Sequence, residues 1–78
     1  MPTVLRVGPY RFFFVAKDRG EPPHIHVERD KDTAKFWLSP VQCAYNDRFP
    51  SHELKRLKKI VQENEQLFLE RWNEFFQI

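Results

Sequence analysis

His24, Ile25, His26, Val27 and Glu28 alternate polar with apolar residues. In an extended strand His24, His26 and Glu28 therefore share one face, and Ile25 and Val27 share the other. Two imidazoles and a carboxylate on one face suit two kinds of chemistry. Neutral imidazole and carboxylate ligate divalent transition metals, which makes His24, His26 and Glu28 one ligand set. Imidazole also takes and gives protons near neutral pH, so His24 and His26 suit a general acid and base. Arg19, Lys17 or Arg29 would then hold a phosphate. The plain alternative is a solvated strand face opposite an Ile25–Val27 core face, and spacing alone leaves all three open.

A second group of charges lies further on. Lys55, Arg56, Lys58 and Lys59 stand against Glu53 alone, while Glu63, Glu65, Glu70 and Glu74 stand against Arg71 alone. On a helix this order opposes the macrodipole, at a cost of about 0.3–1 kcal/mol for charges in the terminal turns. Lys55 and Lys59 are also like charges four residues apart. Together with Arg48, the basic start suits nucleic-acid phosphates or an acidic protein, unless it is simply a solvated face. Trp37 shares a strand face with Lys35 and is the best candidate for stacking on a base. Cys43 has no motif around it, and pairing with His52 as a nucleophile is a remote reading.

The elements that position these residues must fit in 78 residues, which is one domain spanning 1–78. Cys43 is the only cysteine, so no disulfide helps, and no Cys/His spacing matches a structural zinc site. An aromatic content of 15% supplies the core. The first residues lack the basic flank and apolar run of a secretory signal, and no apolar run approaches the roughly 20 residues that span a bilayer. The expectation is a cytoplasmic chain with no membrane contact and no cofactor. A net charge of +2, from 13 basic and 11 acidic residues, is too even to indicate nucleic acid by itself.

Residues 3–7 and 10–16 read as strands joined by a Gly8-Pro9 turn. Tyr10, Phe12 and Phe14 share one face, and Arg11, Phe13 and Val15 the other. A charged loop over 17–23, stiffened by Pro22 and Pro23, leads to strands over 24–29 and 34–38. Residues 39–50 read as a connection with one helical turn near 41–44. Ser51 reads as an N-cap, and Leu54, Leu57, Val61, Phe68, Trp72 and Phe75 follow at helical spacing. The expected fold is α+β: a four-stranded, mainly antiparallel sheet over 3–38, then one long helix over 51–76, in the order ββββα. Such a helix is about 37 Å long, against about 30 Å for the domain, so its end should overhang. Trp72, Phe75, Phe76 and Ile78 there read as a protein interface.

Three strings carry a resemblance: Gly8-Pro9-Tyr10-Arg11-Phe12-Phe13-Phe14, Asp18-Arg19-Gly20-Glu21-Pro22-Pro23-His24-Ile25-His26-Val27, and Ala34-Lys35-Phe36-Trp37-Leu38. Together with Trp72-Asn73-Glu74-Phe75-Phe76 they resemble a family of small bacterial proteins classified only as a domain of unknown function. Members are often encoded beside another small domain, so the resemblance implies a toxin–antitoxin-like gene pair. It carries over no catalytic residues, although Arg19, His24 and His26 lie within the matching signature.

The leading expectation is a toxin-like component that acts on or binds RNA. His24 and His26 would be acid and base or phosphate contacts, and Arg19 would stabilise phosphoryl charge. Lys55, Arg56, Lys58, Lys59, Arg48, Lys35 and Trp37 would contact nucleic acid. A ribonuclease of this kind uses the 2′-OH as nucleophile and needs no metal. A second expectation is a non-enzymatic, antitoxin-like or regulatory module. It would bind a small partner encoded nearby, or itself, through Trp72, Phe75 and Phe76. The third is the metal site on His24, His26 and Glu28.

Overall fold

Alternating apolar residues and short turns make a meander. The computed structural model describes residues 3–77, so Ile78 lies outside them. Its strands are β1 (Thr3–Val7), β2 (Tyr10–Phe13), β3 (His24–Arg29), β4 (Asp32–Leu38) and β5 (Val41–Asp47). A 3₁₀ turn, Ala16–Asp18, follows β2, and two helices, α1 (Ser51–Glu63) and α2 (Glu65–Phe76), end the chain. The strands form one five-stranded antiparallel sheet in the order β1-β2-β3-β4-β5. Gly8 at φ +55° turns β1 into β2. Asp30 at φ +54° closes the tight β3–β4 turn.

The α+β class and antiparallel sheet match expectation, while the order ββββα does not. Residues 39–50 are not a plain connection, because 41–47 pair with the free edge of β4. Val41 is buried, but 42–46 are exposed on both sides, so β5 shows no apolar alternation. Its ladder is also irregular: Lys35 pairs with Tyr45 and Phe36 with Cys43, which leaves Ala44 without a partner.

The single helix over 51–76 is likewise two. Asn64 (φ −115°, ψ 16°) leaves the helix while its side-chain amide donates to the Ile60 carbonyl at 2.8 Å. This is the local competition with backbone bonding that makes Asn a poor interior residue. Ser51 is not the cap either. Pro50 holds that position, and its carbonyl accepts from the amides of Glu53 and Leu54 at 3.0 Å.

The break keeps both helices on the sheet, and the longest dimension of the domain is 34 Å. Leu57, Val61, Phe68, Trp72 and Phe76 join Phe12, Phe14, Ile25, Val27, Phe36 and Leu38 in one core. Each large side chain so buried contributes about 1.5–3 kcal/mol. Trp72 and Phe76 are thus core, packed on Phe14 at 5.5 and 6.5 Å, rather than an overhanging partner surface. Phe75 is half-buried beside a cavity of about 240 Å³ that Thr3, Val4, Phe14, Arg71 and Glu74 also line.

A buried polar junction fixes α1 to the sheet. The Tyr10 hydroxyl donates to Glu53 Oε2 at 2.5 Å, Arg29 Nη1 donates to the same oxygen, and Arg29 Nη2 reaches Asp32 Oδ2 at 2.8 Å. Burial first, and then the Glu53 carboxylate, push the Tyr10 hydroxyl above its ordinary 10.0. The helices cover the Ile25–Val27 side. On the opposite side, no helix covers His26 and Glu28 among the described residues, while Trp72 of α2 reaches the ring of His24 at the sheet's end.

Candidate functional site

The loop between β2 and β3 builds the site. After Phe13 the chain turns through Ala16–Asp18, with the Asp18 amide donating to the Val15 carbonyl at 3.0 Å. Gly20 at φ +96° reverses the chain, and the Glu21 amide donates to the Asp18 carbonyl at 3.1 Å. Pro22 and Pro23 lead into β3, and the Pro23 carbonyl accepts from the Leu38 amide at 3.1 Å, which pins the loop to β4. Asp18 is thereby buried over the start of β3.

Asp18 Oδ2 lies 2.8 Å from His24 Nε2 and 2.6 Å from His26 Nε2. His24 is fully buried, with its ring 5.5 Å from Trp37, 5.1 Å from Trp72 and 5.1 Å from His26. Its Nδ1 donates to the Pro22 carbonyl at 2.9 Å. His26 stacks on Phe13 at 5.4 Å, and 23% of its side chain is exposed. Its Nδ1 has no hydrogen-bond partner among the described residues and is not buried.

Burial raises the Asp18 pKa, but hydrogen bonds from His26 and His24, and their charges, outweigh it. The carboxyl sits below its ordinary 3.8. A carboxylate and a carbonyl only accept. The Pro22 carbonyl therefore takes the His24 Nδ1 proton, and Nε2 is the ring nitrogen turned to the Asp18 carboxylate. His26 then donates through Nε2 and keeps Nδ1 for the solvent side. That unit can act as an oriented acid–base group. Alternatively, the three atoms are a ligand set, since all lie within 4.8 Å of one another.

The expected residues divide accordingly. His24 and His26 come together, but His24 is closed off from any substrate. Arg19 does not join them: it is exposed, and its side chain makes no hydrogen bond or ion pair among the described residues. Glu28 does not cluster with the two histidines: it sits opposite Arg11 and pairs with Arg11 Nη1 at 3.0 Å. The carboxylate that meets both histidines is that of Asp18. Its only signal in the sequence is an acidic residue just before a Gly-x-Pro-Pro return, within a loop of mixed charge.

Register places Lys35 directly opposite His26, and Trp37 opposite His24. Lys35 Nζ lies 4.8 Å from the Trp37 ring centroid and 3.1 Å from Glu21 Oε1. Tyr45, not anticipated, sits opposite Lys35 and is 57% exposed. A row thus runs across four strands: Phe13, His26, Lys35, Tyr45. Lys55, Arg56, Lys58 and Lys59 are exposed on α1, in the helical layer, so the structure does not gather them with Lys35 and Trp37. Arg48 is exposed at the β5–α1 corner, 3.8 Å from Asp47. Cys43 donates to the Tyr45 carbonyl at 3.4 Å and makes no hydrogen bond to His52 among the described residues.

Comparison with known proteins adds one match. A family model described as a domain of unknown function (DUF4160) matches residues 10–73, from β2 to α2, and so includes Asp18, His24 and His26. No curated protein and no solved structure matches the chain. Among the described residues, no helix is long and apolar enough to cross a membrane.

Proposed function

We propose, for a chain that belongs to the family described as a domain of unknown function (DUF4160), that it binds single-stranded RNA across the helix-free side of its sheet. What carries the reading is the row Phe13–His26–Lys35–Tyr45, in direct cross-strand register with an exposed aromatic at one end. Strands lie about 4.8 Å apart, so a base on Tyr45 and a phosphate at Lys35 are neighbours on one short stretch of strand. Stacking on an aromatic is worth about 1–3 kcal/mol per base and needs an unpaired base. Lys35 supplies charge to the backbone, and the exposed Arg6 lies one row away, across from Arg11 and its partner Glu28.

Anisotropy of labelled single-stranded RNA tests this. Binding should weaken on Lys35→Ala and on Tyr45→Ala, and duplex RNA of the same sequence should bind less well. No binding to single strands at low salt would overturn the reading.

A catalytic form is favoured by the open Nδ1 of His26 behind an Asp18-held Nε2. Nδ1 takes the proton of a 2′-OH, the 2′-oxygen attacks phosphorus, and the 5′-oxygen leaves with a proton from water. Lys35 stabilises the phosphoryl oxygens, and the product is a 2′,3′-cyclic phosphate. Cleavage in excess chelator, abolished by His26→Ala, is the expected result. In the toxin-like reading, the same substitution removes growth inhibition on overexpression. A wild-type chain that is harmless on overexpression counts against that reading.

A further inference from the structure

We infer that Asp18, His24 and His26 bind one divalent first-row transition-metal ion, with zinc the leading candidate. The inference goes beyond RNA binding and does not depend on it.

The argument starts from where the lone pairs point. His24 Nδ1 is committed to the Pro22 carbonyl at 2.9 Å, so its Nε2 is the nitrogen left for the site. His26 aims the same ring atom, Nε2, at the same carboxylate oxygen. Two imidazole nitrogens and one carboxylate oxygen therefore converge on a single point, and bridging protons or a cation must hold them there. Protons do so in the hydrogen-bonded form. A divalent cation does so with both imidazoles as neutral nitrogen ligands.

The surroundings match a built metal site. An imidazole ligand commonly donates its other N–H to a backbone carbonyl, which fixes the ring and its tautomer. His24 is held in this way. With metal–ligand bonds of about 2.0–2.1 Å, ligands of a tetrahedral ion stand about 3.3 Å apart. The present 2.6 and 2.8 Å separations must open by about half an ångström, and all three atoms already lie within 4.8 Å of one another. Trp37 and Trp72 wall the His24 side, while the partly exposed His26 leaves an approach from solvent. Two nitrogens and one oxygen suit zinc, iron, nickel or manganese better than calcium or magnesium. Three protein ligands leave a coordination position for water or substrate. In this form the Nε2 atoms belong to the ion, so it excludes the metal-free acid–base unit.

The test uses the untagged full chain, stripped with chelator and titrated with zinc or cobalt alone. Expected is one equivalent bound by the folded chain. His26→Ala and Asp18→Asn should each weaken affinity by more than the roughly 10–100-fold that loss of an outer partner costs. Glu28→Gln should leave affinity unchanged. Imidazole nitrogen NMR of the wild type keeps the test valid if a variant misfolds: zinc should shift Nε2 of His24 and His26 and spare His52. No uptake of zinc, cobalt, nickel, manganese or ferrous iron overturns the inference. So does uptake that is indifferent to Asp18 and His26, or a shift at His52 alone.

Discussion

Asp18 accepts a hydrogen bond from His26 at 2.6 Å through the same oxygen that faces His24, so one buried carboxylate ties the β2–β3 loop to two alternate residues on one face of β3. Removing its charge is expected to be costly, because a buried partner is left uncompensated. In metal-free buffer Asp18→Asn should lose about 3–5 kcal/mol, the range for breaking a buried pair. Glu28→Gln, which breaks the partly exposed pair with Arg11, should lose less than about 1 kcal/mol. Urea melts of the two variants measure the contrast. Equal, small losses would mean that Asp18 does not organise the loop.

The loop also depends on one backbone conformation. Gly20 has φ +96°, outside the left-handed well that Asn or Asp can enter, although no atom beyond its own chain neighbours lies within 4 Å of where a Cβ would stand. Gly20→Ala is expected to cost about 1–3 kcal/mol in backbone strain. Gly8, at φ +55°, lies inside that well, so Gly8→Asn should cost well under that. Thermal melting of both variants separates conformation from crowding, since neither site is crowded.

Much of this arrangement was legible because period two is hard to disguise. Ile25 and Val27 identified the core side of β3, and that placed His24 and His26 on the other. Three features were not legible, each for its own reason. β5 is solvated on both sides, so it carries no alternation for a strand reading to find. Asn64 reads as a harmless interruption of an apolar stripe, yet its side chain takes the Ile60 carbonyl and bends the path, turning Trp72 from overhang into core. Asp18 meets its partners only through a turn that depends on Gly20, and no spacing rule links a loop carboxylate to a strand six residues on.

Alkaline stability reports on the second buried junction. Tyr10 has its pKa raised by burial and by Glu53, so it contributes stability that is fully present below about pH 10 and lost as pH rises through its folded value. Wild type should therefore lose stability above pH 10 more steeply than Tyr10→Phe. At neutral pH the variant should already be weaker by about 1.5 kcal/mol for the lost bond to a charged acceptor. Guanidinium melts from pH 7 to 11 would show the two curves converging. Parallel curves would mean that the Tyr10 proton plays no part.

Salt dependence separates the two basic surfaces that the sequence offers to RNA. On single strands each neutralised phosphate contributes about −0.7 to the slope of log affinity against log salt. Lys35→Ala should reduce the slope by about that amount. Tyr45→Ala should leave the slope unchanged while weakening binding by about 1–3 kcal/mol, because stacking releases no counterions. Lys58 and Lys59 lie in the helical layer, so Lys58→Ala should alter neither quantity. The reverse pattern, a slope that falls with Lys58 and is indifferent to Lys35, would put the RNA on the start of α1. The charge order that opposes the helix dipole would then be explained by phosphate contact, and the sheet row would be left without a ligand.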